Sequence, residues 1–134
     1  MPGVESRLVA RLRGYADVAE LVGSQVYGGH AKEGVDTPYV IVSRISGQPF
    51  NTLSGPNTLG DFEARLQVDC IADRYADAKR IGDATRTALS GWRDAGAGII
   101  SCMLDNEQDD TEPNLDGSNV VTQRVIQDYI VHYQ

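Results

Sequence analysis

Asp61-Phe62-Glu63-Ala64-Arg65-Leu66-Gln67-Val68-Asp69-Cys70-Ile71-Ala72 is the stretch that decides the fold. Phe62, Ala64, Leu66, Val68, Cys70 and Ala72 alternate with Asp61, Glu63, Arg65, Gln67 and Asp69. Side chains on a strand point alternately to opposite faces, so this pattern predicts one face on a core and one polar face. One-sided strands of this kind belong to antiparallel sheets.

The pattern then changes period. Asp73 reads as a cap for a helix over Arg74 to Ser90. Ala78, Ile81, Ala84, Thr85, Ala88 and Leu89 form its apolar stripe, and Lys79, Arg80, Asp83 and Arg86 its wet face. The stripe is rich in alanine, which lets the helix lie close to a sheet. Upstream, Val4, Leu8 and Leu12 mark an amphipathic helix ending at Gly14. Asp17 reads as the cap of a short second helix closed by Gly23.

Pro38 opens a β-branched strand, Tyr39 to Ile45. Val26 to Thr37 reads as a loop in which Val26-Tyr27 can pair briefly with a sheet edge. Gln48 to Thr58, with Pro49, Gly55 and Pro56, reads as a long loop. Ile99 to Leu104 is a third strand, Asp105 to Ser118 a polar loop, and Val120 to Tyr133 a long last strand. The last strand carries apolar residues on both parities: Val121, Val125, Tyr129, Val131 and Tyr133, then Val120, Ile126 and Ile130. A strand apolar on both faces is expected to meet protein on both. The expected class is α+β, with about four strands in a largely antiparallel sheet and the helices on one face. The element order is α-(α)-β-β-α-β-β, and residues 1–134 form one domain of ordinary size.

Composition narrows the function. The chain has 134 residues, net charge -7, 41% hydrophobic and 23% charged residues, which is globular rather than disordered. Its acidity argues against gripping nucleic acid through a basic patch, but suits a wall that DNA slides past. The N-terminus shows no signal-peptide pattern, and no apolar run approaches the ~20 residues that span a bilayer. The expectation is cytoplasmic synthesis without a membrane.

Candidate chemistry is sparse. Cys70 and Cys102 sit inside apolar runs and read as buried thiols; sequence does not decide whether they approach each other. No P-loop or dinucleotide fingerprint is present. His30 and His132 form no recognisable catalytic set with the cysteines. The expectation is no catalytic residue, no metal and no cofactor. The run Asp105, Glu107, Asp109, Asp110, Glu112 and Asp116 does not match a calcium loop. It reads either as a solvated loop or as a segment that orders against a partner or faces passing DNA.

Several segments together resemble the tail-completion or tail-terminator proteins of long-tailed phages, also found in prophages and gene-transfer particles. These are Leu21-Val22-Gly23-Ser24-Gln25-Val26-Tyr27, the strand Thr37-Pro38-Tyr39 through Gly47, and Ala64-Arg65-Leu66-Gln67-Val68-Asp69-Cys70-Ile71-Ala72. Tyr75-Ala76-Asp77-Ala78, a helix closing at Ala88-Leu89-Ser90-Gly91 and a final strand ending in Tyr133 complete the order. The resemblance implies a virion protein at the head-tail junction, assembled in the bacterial host cytoplasm. It implies a homo-oligomeric ring, typically of six, that caps the tail tube, stops its polymerisation and receives the head connector or stopper. The implied partners are the tail-tube protein, the connector and DNA passing unbound through the lumen; no catalytic residues come with it. Candidate contact segments are Pro49, Phe50, Asn51, Leu53, Pro56 and Asn57, and the acids from Asp105 to Asp116. Val125, Ile126, Tyr129, Ile130 and Tyr133 are candidates for an inter-subunit strand. Two other readings stand beside this one: another head-tail joining or tail-tube component, and a small cytoplasmic ligand-binding or enzymatic domain.

Overall fold

The computed structural model describes residues 3–30, 34–49, 62–113 and 121–134. The elements are α1 (Val4–Arg13), α2 (Ala16–Val22), β1 (Val26–Gly28), β2 (Tyr39–Pro49), β3 (Phe62–Ala72), α3 (Tyr75–Leu89), β4 (Ile99–Pro113) and β5 (Val121–Tyr133). The strands form one sheet in the order β1-β2-β3-β5-β4. β1 runs parallel to β2; the other neighbours are antiparallel. The class is α+β as expected, but the sheet is mixed and has five strands rather than four.

The core follows the alternation on β3. Ala64, Leu66, Val68, Cys70 and Ala72 are buried together with Val40 and Val42 of β2 and Val125, Tyr129 and Val131 of β5. Against them lie Leu8 and Leu12 of α1, Val18 and Val22 of α2, and the complete expected stripe of α3. Gly82 joins that stripe: a Cβ there would stand 3.1 Å from Val125 Cγ1. The helix therefore sits so close to β5 that any side chain at position 82 would press on Val125. The opposite face of β3 is less exposed than its pattern indicated, because Asp69 and Ile71 are also buried.

Tertiary contacts realise the brief edge pairing expected of Val26-Tyr27 and correct three other expectations. Val26 to Gly28 is a strand, paired through Val26↔Val40 to Gly28↔Val42 and anchored by the fully buried Val26. Three residues are too few to register as a periodicity. The loop expected from Asp105 is strand as far as Pro113, held to β5 from Asn106↔Asp128 to Pro113↔Val121. Likewise β2 continues past Gly47, pairing Gln48↔Glu63 and Pro49↔Phe62. Neither expected side-chain cap forms. Arg74 and Tyr15 are the N-cap residues of α3 and α2, while Asp73 instead accepts a 2.6 Å hydrogen bond from Thr37 Oγ1 and Asp17 lies in the first turn of α2.

The close seat of α3 gives a direct test. Gly82→Leu forces a bulky side chain into the Val125 contact and is expected to lower stability by about 1–3 kcal/mol. Thermal and urea unfolding followed by circular dichroism measure the loss; an unchanged midpoint would contradict the close packing.

Candidate assembly interface

The acids of the expected loop are strand residues, and three of them meet cations. Arg65 Nη1 lies 2.7 Å from Asp105, Arg86 Nη1 3.3 Å from Glu107, and Lys79 Nζ 2.7 Å from Asp109. Tyr75 donates a further 2.6 Å bond to Asp109. Each surface pair adds little alone, since solvent screens it and ordering long side chains costs entropy. Together they tie β4 to β3 and to two turns of α3. Asp110 is exposed and stands opposite Arg124 in the register. Glu112 stands opposite Thr122, and Pro49 opposite Phe62. Phe50, Asn51, Leu53, Pro56, Asn57 and Asp116 lie outside the described residues.

A second arrangement was not read from sequence. Gln127 is fully buried on β5, facing α3. Its Oε1 accepts from Thr85 Oγ1 at 2.7 Å and Tyr129 Oη at 2.8 Å. Its Nε2 donates to the Gly82 carbonyl and to Glu107, both at 2.8 Å. Both donors and both acceptor lone pairs of the amide are thereby used. The available signal was a lone polar residue at a core position in Val125-x-Gln127-x-Tyr129-x-Val131.

Of the proposed inter-subunit strand, only part reaches the surface. β5 lies between β3 and β4, so both its edges are already paired and it cannot add to another chain's sheet. Val125 and Tyr129 are buried beneath the helices. Ile126 and Ile130 are half-buried on the face away from the helices, and Tyr133, also half-buried, stacks with Phe62. That open face also carries Tyr39, Ile41 and Met103, the last 54% exposed.

The same face contains a hydrogen-bonded row across three strands. Ser101 Oγ lies 3.0 Å from His132 Nδ1, and Glu63 Oε2 3.2 Å from His132 Nε2. The order resembles an acyl-transfer triad, but its members are register partners, Ser101↔His132 and Glu63↔His132. Hydrolysis would also need N–H donors aimed at a developing oxyanion. Here the neighbouring strands pair by ladder hydrogen bonds, and the row reads as cross-strand pairing. Burial pushes the thiols of Cys70 and Cys102 up to about 12, so both stay protonated and unreactive. Arg11 stacks on Tyr15 and on Trp92, leaving the tryptophan half-buried beside a groove of about 420 Å3. No described group of His, Cys, Asp and Glu could hold a metal, and no helix of the described residues is long and apolar enough to cross a membrane.

These features define an α+β protein with one sheet face covered by helices and the other open. The family model described as "Tail completion protein gp17" matches residues 6–132, and the chain belongs to that family. It is thus a virion tail protein. Among solved structures, the chain is similar to one from the "Virion of native gene transfer agent (GTA) particle", with 17% identity and a TM-score of 0.72. That match covers 97% of this chain and 93% of the other, and at this identity it shows a shared fold. A search of curated protein sequences finds no significant match.

Two substitutions probe the ties between β4, β5 and α3. Gln127→Leu leaves the Tyr129 hydroxyl without its buried partner and the Thr85 hydroxyl and Gly82 carbonyl with the bond between them, and is expected to cost about 1–3 kcal/mol in unfolding free energy. Asp109 is held below its ordinary value of 3.8, first by Lys79 and then by Tyr75. A depressed carboxyl contributes stability that is complete above pH 3.8 and is lost as pH falls through the folded value. In Lys79→Met the Asp109 titration midpoint, read by carboxyl NMR, is expected to rise toward 3.8. No movement would show that the pair does not form in solution.

Proposed function

We propose that this protein is the tail terminator of its particle: a ring subunit at the head-proximal end of the tail tube. The ring stops tube polymerisation and presents a docking surface to the head connector or stopper. The observation that carries this reading is the family match over residues 6–132. A protein of a gene-transfer-agent virion with the same fold supports it. The role is structural; the domain spans residues 1–134, acts without cofactor or metal, and lets DNA pass unbound. A net charge of -7 suits a lumen that repels phosphate.

The sheet supports a two-ended subunit. Pro49↔Phe62 and Phe62↔Tyr133 lie at one end, and Ala72↔Gln123 at the other, close to Pro113↔Val121. The ten steps of β3 between them span roughly 33 Å. The segment bearing Phe50, Asn51, Leu53, Pro56 and Asn57 leaves from the first end, and the segment bearing Asp116 from the second. Contacts for two different neighbours, tube and connector, are thereby separated along one rigid sheet. Subunit contacts are assigned to Ile126 and Ile130 through the open face rather than to the buried Val125 and Tyr129; Tyr133 lies on the helix side, under Arg7 of α1.

Deleting the gene from its phage or gene-transfer cluster is expected to leave filled heads unjoined to tails of irregular length, seen by negative-stain microscopy. Complementation with the intact gene should restore joined particles. Infectious or transducing particles of normal tail length from the deletion strain would refute the proposal.

A further inference from the structure

The sheet has two open edges, and they differ in charge and direction. On the outer side of β2, Val40 donates its N–H to Gln25 and Val42 accepts from Gly29. Beyond Val42, no backbone hydrogen bond of the described residues reaches that side. Arg44 shares the parity of Val40 and Val42, so its peptide N–H and C=O also point outward. On β4, the outer side is closed only at its start: Asp94 bridges to Ile99, and Gly91 donates to the Cys102 carbonyl. From Leu104 to Pro113 it too is open among the described residues. Glu107 and Asp109 share the helix-side face of Cys102, opposite Gln127 and Val125 of β5. They therefore turn their peptide groups outward as well.

We infer that neighbouring copies of this chain join by antiparallel pairing of Ser43–Gln48 on β2 with Leu104–Glu112 on β4 of the next copy. The inference rests on the ring reading above and gives it an interface. Three observations select this pairing. First, direction: β2 and β3, β3 and β5, and β5 and β4 are each antiparallel, so β2 and β4 run in opposite senses. Copies in the same orientation then meet antiparallel. Second, charge: β4 carries Asp105, Glu107, Asp109, Asp110 and Glu112 and no base, whereas β2 carries Arg44 and no acid. Pairing β4 with β4 would set these acids opposite one another, and β2 with β2 would face Arg44 with itself; like charges directly opposite destabilise a sheet. Arg44 is half exposed, with Glu5 at 3.8 Å as its ion-pair contact, and can turn to a new carboxylate. Third, extent: Pro49 and Pro113 end the two open segments, and proline supplies no N–H to a ladder.

Such an interface is heterologous, because one edge of each copy meets the other edge of the next. Heterologous contacts close into rings when the rotation between copies is a fraction of a full turn. Charged edges otherwise keep strands from pairing indiscriminately. Here the acids of β4 would exclude most strands while accepting one that brings a cation.

Cysteine pairing in the full chain tests the inference. Arg44→Cys is combined, in separate variants, with Asp105→Cys, Glu107→Cys and Asp109→Cys. Antiparallel partners place Cα atoms about 5.5 Å apart, within disulfide range. Within one chain, β2 and β4 are three strand spacings apart, roughly 14 Å, which is out of range. Mild oxidation is expected to give a ladder of linked multimers on non-reducing gels for at least one double variant, and for neither single parent. Light scattering of the wild type gives the control. An oligomer with no ladder in any double variant overturns the edge pairing and leaves the ring standing. A wild type that stays monomeric at millimolar concentration, or a dimer from a single parent, overturns both the pairing and its heterologous geometry. Arg44→Glu, with its circular dichroism unchanged, supplies a second measurement. It is expected to weaken association about three- to thirtyfold, and unaltered association would count against the proposal.

Discussion

Everything on the helix side of this sheet depends on how closely α3 approaches β5. Gly82 permits the approach, and Gln127 makes it tolerable by satisfying the polar groups it buries. A buried carbonyl and two buried hydroxyls without partners would each cost free energy comparable to a lost hydrogen bond. One amide side chain answers all of them and also reaches Glu107 on β4. Through that contact the outermost strand is registered against the helix as well as against its neighbour. The pairs from Arg86 and Lys79 to β4 then continue the same line along the helix surface.

This arrangement changes what the acidity of the chain means. Read as a loop, the acids from Asp105 onward form a field of uncompensated charge. In the folded protein, Asp105, Glu107 and Asp109 each face a cation from β3 or α3. The acidic strand is thus partly neutralised on its inner side and stays open along its outer edge. Its neighbours on the other edge of the sheet are a short parallel strand and an open stretch bearing Arg44. This member of the tail-completion family carries its charge asymmetry in those two edges.

Much of the fold was legible because long elements declare their period. The alternation from Phe62 to Ala72 and the stripe from Ala78 to Leu89 both describe residues that the core buries, Phe62 excepted. The α+β class and the one-sided helix layer follow from those two patterns. The strand at Val26 was legible only as a brief edge pairing because three residues carry no period, and β4 escaped beyond Leu104 because acids mask a strand whose charges are answered from other elements. The candidate surface was legible only in outline. The pattern separated Ile126 and Ile130 from Val125 and Tyr129 by parity but did not say which parity the helices cover; the structure buries Val125 and Tyr129 beneath them.

Sequence alone determined the periods, the small-residue face of α3 and the family, since these are properties of local spacing and order. Strand order was a tertiary decision. The placement of β5 between β3 and β4 comes from long-range pairing that no local pattern encodes. It makes a strand apolar on both faces an interior one and leaves β4 at one edge and β1 at the other, with β2 open where the short β1 ends. Which backbone groups remain open for another chain is fixed by that order, because a strand can hydrogen-bond on only two sides.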